Sequence, residues 1–185
     1  MNFTSITSGI ELVSALKEYD SSYLEELDFK HKFLQLLENP RCYFRDHLPG
    51  HITGSAWIID KSKQFTLLTH HAKLNKWLQT GGHADGDKDI LRVALREAEE
   101  ESGVRNFKLL QTGIFDIDIH PIPERKDFPL HFHYDVRFLL QASMEEPLVI
   151  SEESHDVAWK KIDEIGELTN QNNSMLRMAE KTKLL

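Results

Sequence analysis

Cysteine is nearly missing from this chain: Cys42 is the one thiol in 185 residues, so no internal disulfide can form. Long apolar runs are missing as well, and none approaches the roughly 20 residues that a membrane span requires. Residues 1–20 carry neither a basic leader nor a continuous apolar segment, so no secretory signal is expected and a reducing, cytoplasmic setting is. Positive charge is the third shortage. Lys and Arg number 22 against 30 Asp and Glu, a formal net charge of −8. That balance excludes sequence-independent coating of nucleic acid, which relies on clustered cations displacing counterions. Any phosphate handled here must be neutralised by something other than bulk charge. Internal repeats and low-complexity linkers are absent too. The remainder, 40% hydrophobic and 28% charged, is ordinary for one globular domain with a sizeable core.

Residues 1 to about 40 read as helical, because Ile10, Leu12, Val13 and Leu16, then Leu24, Leu27, Phe33, Leu34, Leu36 and Leu37, recur at helical spacing. Asn39-Pro40 stops that segment. His51–Asp60 and Gln64–His70 read as the strands of a hairpin around Lys61-Ser62-Lys63. Trp77-Leu78 leads into Gly81-Gly82, and a helix is expected from about Asp89 to Glu101, closed by Gly103. Further strands are expected at Phe107–Asp118, His131–Leu140 and Val157–Lys160, with a loop holding Pro121, Pro123 and Pro129 between the first two. The tail from Ile162 reads as helical, interrupted at Asn170–Ser174. Strands on both sides of one well-marked helix predict a mixed α/β (α+β) domain with a helical N-terminal extension.

The chemistry is concentrated in residues 81–104, GGHADGDKDILRVALREAEEESGV. At about 100° per residue, Ile90, Leu91, Ala94, Leu95 and Ala98 share one apolar arc of roughly 140°. Arg92, Arg96 and Glu99 fall opposite. Glu97 and Glu101 project at the margin of the apolar arc, and Glu100 lies on the same flank. Like charges at such spacing repel, more so when partly buried, so a counter-charge is expected. Arg96 can reach Glu100 one turn on, which leaves Glu97 and Glu101 uncompensated. Oxygen-only ligands on one helix face suit Mg²⁺ or Mn²⁺ better than Zn²⁺; a solvated acidic face is the plain alternative. Phosphate and calcium loops fit poorly. Asp87-Lys88 stands where a P-loop needs Gly-Lys-Ser/Thr, the dinucleotide glycine pattern fails, and Ile90 and Arg96 occupy the EF-hand glycine and glutamate positions.

Counted from Gly82, the block Arg96-Glu97-Ala98-Glu99-Glu100-Glu101-Ser102-Gly103-Val104 resembles the signature of the Nudix hydrolase family, G-x5-E-x7-R-E-U-x-E-E-x-G-U with U aliphatic. Lys88 replaces the first glutamate of that signature. The resemblance implies an α/β/α sandwich with a mixed sheet, and hydrolysis of a nucleoside diphosphate linked to another moiety X. It implies Glu97, Glu100 and Glu101 as metal ligands, with Glu97 as the alternative activator of water, a backbone carbonyl from Gly82, and Arg96 orienting the glutamates. It also implies a further carboxylate ahead of the last core strand, for which Glu152 or Glu153 is placed, Glu153 in preference. For the acid missing at Lys88, either Asp87 or Asp89 is expected to substitute from a neighbouring position or one metal is lost. Mg²⁺ or Mn²⁺ would be the cofactor and a small nucleoside diphosphate derivative the partner. A Nudix-fold module that binds a nucleotide without hydrolysing it is the alternative, favoured by Lys88.

Outside the signature, His131, His133 and Asp135 alternate, so their side chains share one face of a strand. That face reads as a wall contacting substrate, as a transition-metal site completed by His120 or His83, or as a solvated sheet face. His83, Trp77 and Arg125 join His131 and His133 as candidate substrate contacts: His83 follows Gly82, Trp77 offers a ring to a base, and Arg125 offers a cation to phosphate. Phe33, Leu34 and Leu37 form a helix face that covers the domain or meets a second subunit in a homodimer. Residues 1–45 are expected as the packed-on extension and 46–185 as the hydrolase domain.

Overall fold

A computed structural model describes residues 11–126 and 128–185. Residues 1–10 of the expected helical segment, Ile10 among them, lie outside the described residues. The chain divides into two compact units, Met1–Gly54 with Gly82–Ala94 and Gln111–Phe138, and Ser55–Gly81 with Leu95–Leu110 and Leu139–Leu185.

The N-terminal segment contains two helices rather than one run: α1 (Leu12–Glu18) and α2 (Leu24–Leu36). The break falls at Tyr19–Tyr23, where Ser21 and Tyr19 turn their hydroxyls onto a side chain of α2 instead of continuing the helix. That side chain is Glu26, fully buried, which accepts from Tyr19 at 2.5 Å, from Ser21, and from the backbone N–H of Ile117 at 3.1 Å. Phe33 is also fully buried and meets Tyr134 edge-to-face at 5.2 Å, so this face of α2 packs within its own unit. A 3-10 turn at Pro40–Tyr43 follows, with Asn39 capping Arg41.

The strands are β1 (Gly50–Ile59), β2 (Phe65–His71), β3 (Lys76–Leu78), β4 (Thr80–His83), β5 (Lys108–Leu109), β6 (Asp116–Ile122), β7 (His131–Gln141) and β8 (Ser154–Lys161). Their hydrogen bonding runs β3-β2-β1-β7-β5, with β4 on β1, β6 on β7 and β8 on β2. Every residue of β1 is buried, which is why it reads as a continuous run rather than an alternation. Its turn into β2 is fixed by Asp60, whose carboxylate accepts from the N–H groups of Ser62, Gln64 and Phe65. The segment expected as one strand over Phe107–Asp118 is two, because Gly113 takes φ +107° between β5 and β6. β6 then continues through Pro121, which the sequence assigns to a loop; its strand partner there is Phe132.

The signature helix is α3 (Ile90–Ser102), and the tail folds as a 3-10 turn, α4 (Ile165–Leu168) and α5 (Asn173–Lys183). Asp89 caps α3 by accepting from the Arg92 N–H. Gly103 ends it at φ +76°, its N–H on the Glu99 carbonyl at 2.8 Å. Ile90, Leu91, Ala94, Leu95 and Ala98 are all buried as expected, and Val93 joins them, packed where Gly54 of β1 lets the helix come close. α5 buries Met175, Met178 and Ala179, and its Thr182 accepts from the Trp57 indole at 2.8 Å. This is an α+β chain with a mixed sheet and five helices among the described residues, the class predicted from sequence.

Candidate functional site

The second unit holds the glutamates. α3 carries Glu97, Glu100 and Glu101, and the turn before β8 carries Glu153. Glu100 is exposed, whereas Glu97 and Glu101 are half-buried at the apolar margin, as their angular positions on the helix require. Burial, first of all, pushes the Glu101 carboxyl up to about 8; the charges of Glu97, Glu153 and Glu100 add to this, against the Gly81 N–H that donates to it at 3.3 Å. Burial raises Glu97 too, with Glu100 and Glu153 adding and Arg96 opposing. Arg96 donates to Glu97 at 2.7 Å and so supplies a counter-charge to a half-buried carboxylate. Gly81 is required where it stands: a Cβ there would come within 2.1 Å of the Ser55 hydroxyl.

The charges of Lys88 and the three loop aspartates have other employment. Lys88 lies over the Tyr43 ring at 6.0 Å. Asp85 is bound by Arg45, Asp87 by Arg92 at 2.8 and 2.5 Å, and Asp89 caps α3. Asp87 and Asp89 thus hold the loop and the helix start. Trp77, on β3, is stacked with His70 at 5.0 Å and covered by the Lys160 ammonium at 3.9 Å, so a base would have to displace one of them. Arg125 is exposed in the loop after β6, bridged to Phe128.

The first unit holds the histidines. His51 on β1, His83 on β4, His120 on β6, and His131 and His133 on β7 bring their rings together. His51 is centred 5.2 Å from His83, 5.1 Å from His131 and 4.9 Å from His133, while His133 lies 5.0 Å from His83 and 5.5 Å from His120. His51 was not anticipated from sequence, since β1 shows no alternation that would mark it. Burial holds His51 down at about 4 and His133 at about 2, with neighbouring imidazoles adding to both. The His47 carbonyl opposes this at His51 without hydrogen-bond geometry.

The face carrying these rings is not solvated, contrary to the plainest sequence reading. His131 is 6% exposed and Asp135 2%, and the next residue on that face, Arg137, is equally buried. Arg137 bonds Asp135 at 2.8 Å, Asp116 at 3.0 Å and Asp118 at 3.3 Å; the pairing of β6 with β7 sets Asp118 opposite Asp135 and Asp116 opposite Arg137. The sequence signal was available in the alternation Asp116, Asp118, His120 against His133, Asp135, Arg137, but it needs the pairing register to become a cluster.

The NUDIX domain family model matches residues 49–181. The chain belongs to the Nudix family. It stands thereby among hydrolases of phosphorus-containing anhydrides, a family that uses divalent metals and whose members act on small nucleotide derivatives. A "Probable DHNTP pyrophosphohydrolase" of Lactococcus lactis is 28% identical over 141 residues, covering 74% of this chain and 81% of that protein. The bovine "m7GpppN-mRNA hydrolase NUDT17" is 31% identical over 102 residues, but this chain spans only 33% of its length, with 50% of this chain covered. A Nudix family hydrolase from Clostridium perfringens has a similar fold, with TM-score 0.55 at 24% identity over 72% of this chain and 97% of that one. Among the described residues no helix is long and apolar enough to cross a membrane.

Proposed function

We propose that this Nudix protein is a Mg²⁺- or Mn²⁺-dependent pyrophosphohydrolase that cleaves a nucleoside diphosphate linked to a moiety X. The observation that carries the reading is the pairing of Glu97 and Glu101, both raised by burial and by the acids around them. A helix margin that concentrates unfavourable negative charge is suited to an all-oxygen divalent ion. Glu97, Glu100, Glu101 and Glu153, with the Gly82 carbonyl, are the proposed ligands. A divalent ion held there would offset the charge of the diphosphate and acidify a water molecule. Arg96 holds one oxygen of Glu97, which leaves its other oxygen to ligate the ion or, in the alternative role, to accept the proton of the attacking water. The Gly81 N–H fixes the direction of Glu101. Trp77, His83 and Arg125 are proposed as contacts to X. Residues 46–185 are proposed as the hydrolase domain and 1–45 as its extension, in a cytoplasmic protein whose single thiol, Cys42, is fully buried.

The test is turnover of E97Q and E100Q against nucleoside triphosphates, nucleotide sugars, dinucleoside polyphosphates, ADP-ribose and, from the Lactococcus relative's name, DHNTP. Loss of activity by orders of magnitude in folded variants supports the reading, and wild-type rates in both variants refute it. The second reading, a nucleotide-binding module without hydrolysis, is favoured by Lys88 and its position over Tyr43. Metal-dependent binding by calorimetry with no product formed would select it.

A further inference from the structure

We propose that His51, His131 and His133 form a second metal site, one for a transition-metal dication of the zinc type, separate in donor chemistry from the carboxylates of α3. One ligand atom from each of the three side chains lies within 4.8 Å of the others. Three points so spaced lie within about 2.8 Å of a common centre, against roughly 2.0–2.1 Å for a zinc–imidazole bond, so small side-chain rotations close the site.

The second observation is that the nitrogens lack other work. Both ring nitrogens of His51, which is 1% exposed, and Nε2 of His133 are buried without a hydrogen-bond partner. Leaving such groups unpaired is costly, and metal coordination removes that cost for each nitrogen that ligates. His131 is prepared in the way metal-binding histidines are. Its Nδ1 sits 2.9 Å from the Pro129 carbonyl, and donation there leaves Nε2 as the lone-pair nitrogen. His120 is similarly held by Asp118 at 3.0 Å and flanks His133, while His83 flanks both His51 and His133. Imidazole donors favour zinc, copper, nickel or iron over Mg²⁺, which prefers oxygen. Three protein ligands leave a position open for water or another group. The proposal assigns His131 and His133 to a metal in place of the substrate contact expected from sequence, and it does not depend on the hydrolase reading.

The experiment uses the full chain, stripped with EDTA and titrated with Co²⁺, whose visible d–d bands report coordination. Both wild type and E101Q are titrated, so that an ion held by the glutamates does not count. One equivalent with the bands of a four- or five-coordinate ion is expected in each, displaced by Zn²⁺ and not by excess Mg²⁺. H131F and H133F keep ring volume and remove the nitrogens. They should weaken Co²⁺ binding by more than the roughly 10–100-fold that losing a supporting hydrogen bond costs. X-ray absorption of zinc-loaded wild type supplies a readout independent of any variant's folding, with imidazole scattering expected. The proposal is overturned by absence of stoichiometric Co²⁺ binding, by binding unchanged in both phenylalanine variants, by loss of binding in E101Q alone, or by oxygen-only coordination of zinc.

Discussion

Raising the pH of the metal-free protein above neutrality should destabilise it, and Glu101 should be the reason. Its carboxyl is held at about 8 against an ordinary 4.5, so over that interval the folded chain retains a proton the unfolded chain has released. The stability this gives is fully present below the unfolded value and is lost as pH rises through the folded one. At 1.36 kcal/mol per tenfold change, the whole excursion is on the order of 5 kcal/mol. His51 and His133 act in the opposite sense: held at about 4 and about 2, they favour the fold above the free imidazole value and withdraw that support as pH falls below it. An unfolded imidazole is still half-protonated at pH ~6.5 and yields the last of this support above it, so between pH ~6.5 and pH ~8 Glu101 is read as the difference between wild type and E101Q, a loss of about 2 kcal/mol. Urea denaturation in EDTA across that interval measures it, with E101Q as the reference. E101Q should lose less than half as much, and saturating Mg²⁺ should flatten the wild-type slope, because the ion takes the place of the proton. A wild-type stability that is level or rising over the interval, matched by E101Q, would refute the burial of this carboxyl and the repulsion around it.

The other expectations concern residues that hold the sites in place. R137M leaves Asp116, Asp118 and Asp135 without their shared buried cation, and should cost about 3–5 kcal/mol by denaturant midpoint; an unchanged midpoint would show that these carboxylates find other partners. E26A removes the buried carboxylate that accepts from Tyr19, Ser21 and the Ile117 N–H, and should cost on the order of 3 kcal/mol, with a smaller loss in S21A measured the same way. G81A drives a methyl group into Ser55, so soluble yield and melting temperature should fall sharply; a variant as stable as wild type would show that β1 and β4 can separate locally without penalty.

The letters of the chain carried most of the architecture. Helix α3, its glycine stop and its apolar face follow from spacing alone, because a 3.6-residue period and a left-handed terminus leave local marks. The same period placed Glu97 and Glu101 at the edge of the core, and the fixed offset from Gly82 carried the family resemblance. Local pattern failed where partners come from far along the chain. One N-terminal helix became two because a buried glutamate draws in Tyr19 and Ser21, and Pro121 extends β6 because its neighbour on β7 is already in place. That Arg96 pairs with Glu97 was not legible either, since burial of that carboxylate is invisible in sequence. The alternation of His131, His133 and Asp135 was legible, but not that it faces a buried interior, since sequence gives the period of a strand and not what covers it. His51 joins that wall from a strand some 80 residues away in the chain. Sequence therefore determined what local geometry encodes, namely the periodic elements and the acidic box. Tertiary structure alone decided which polar groups lose their water and which distant side chains share a centre, because desolvation and convergence are properties of the folded chain.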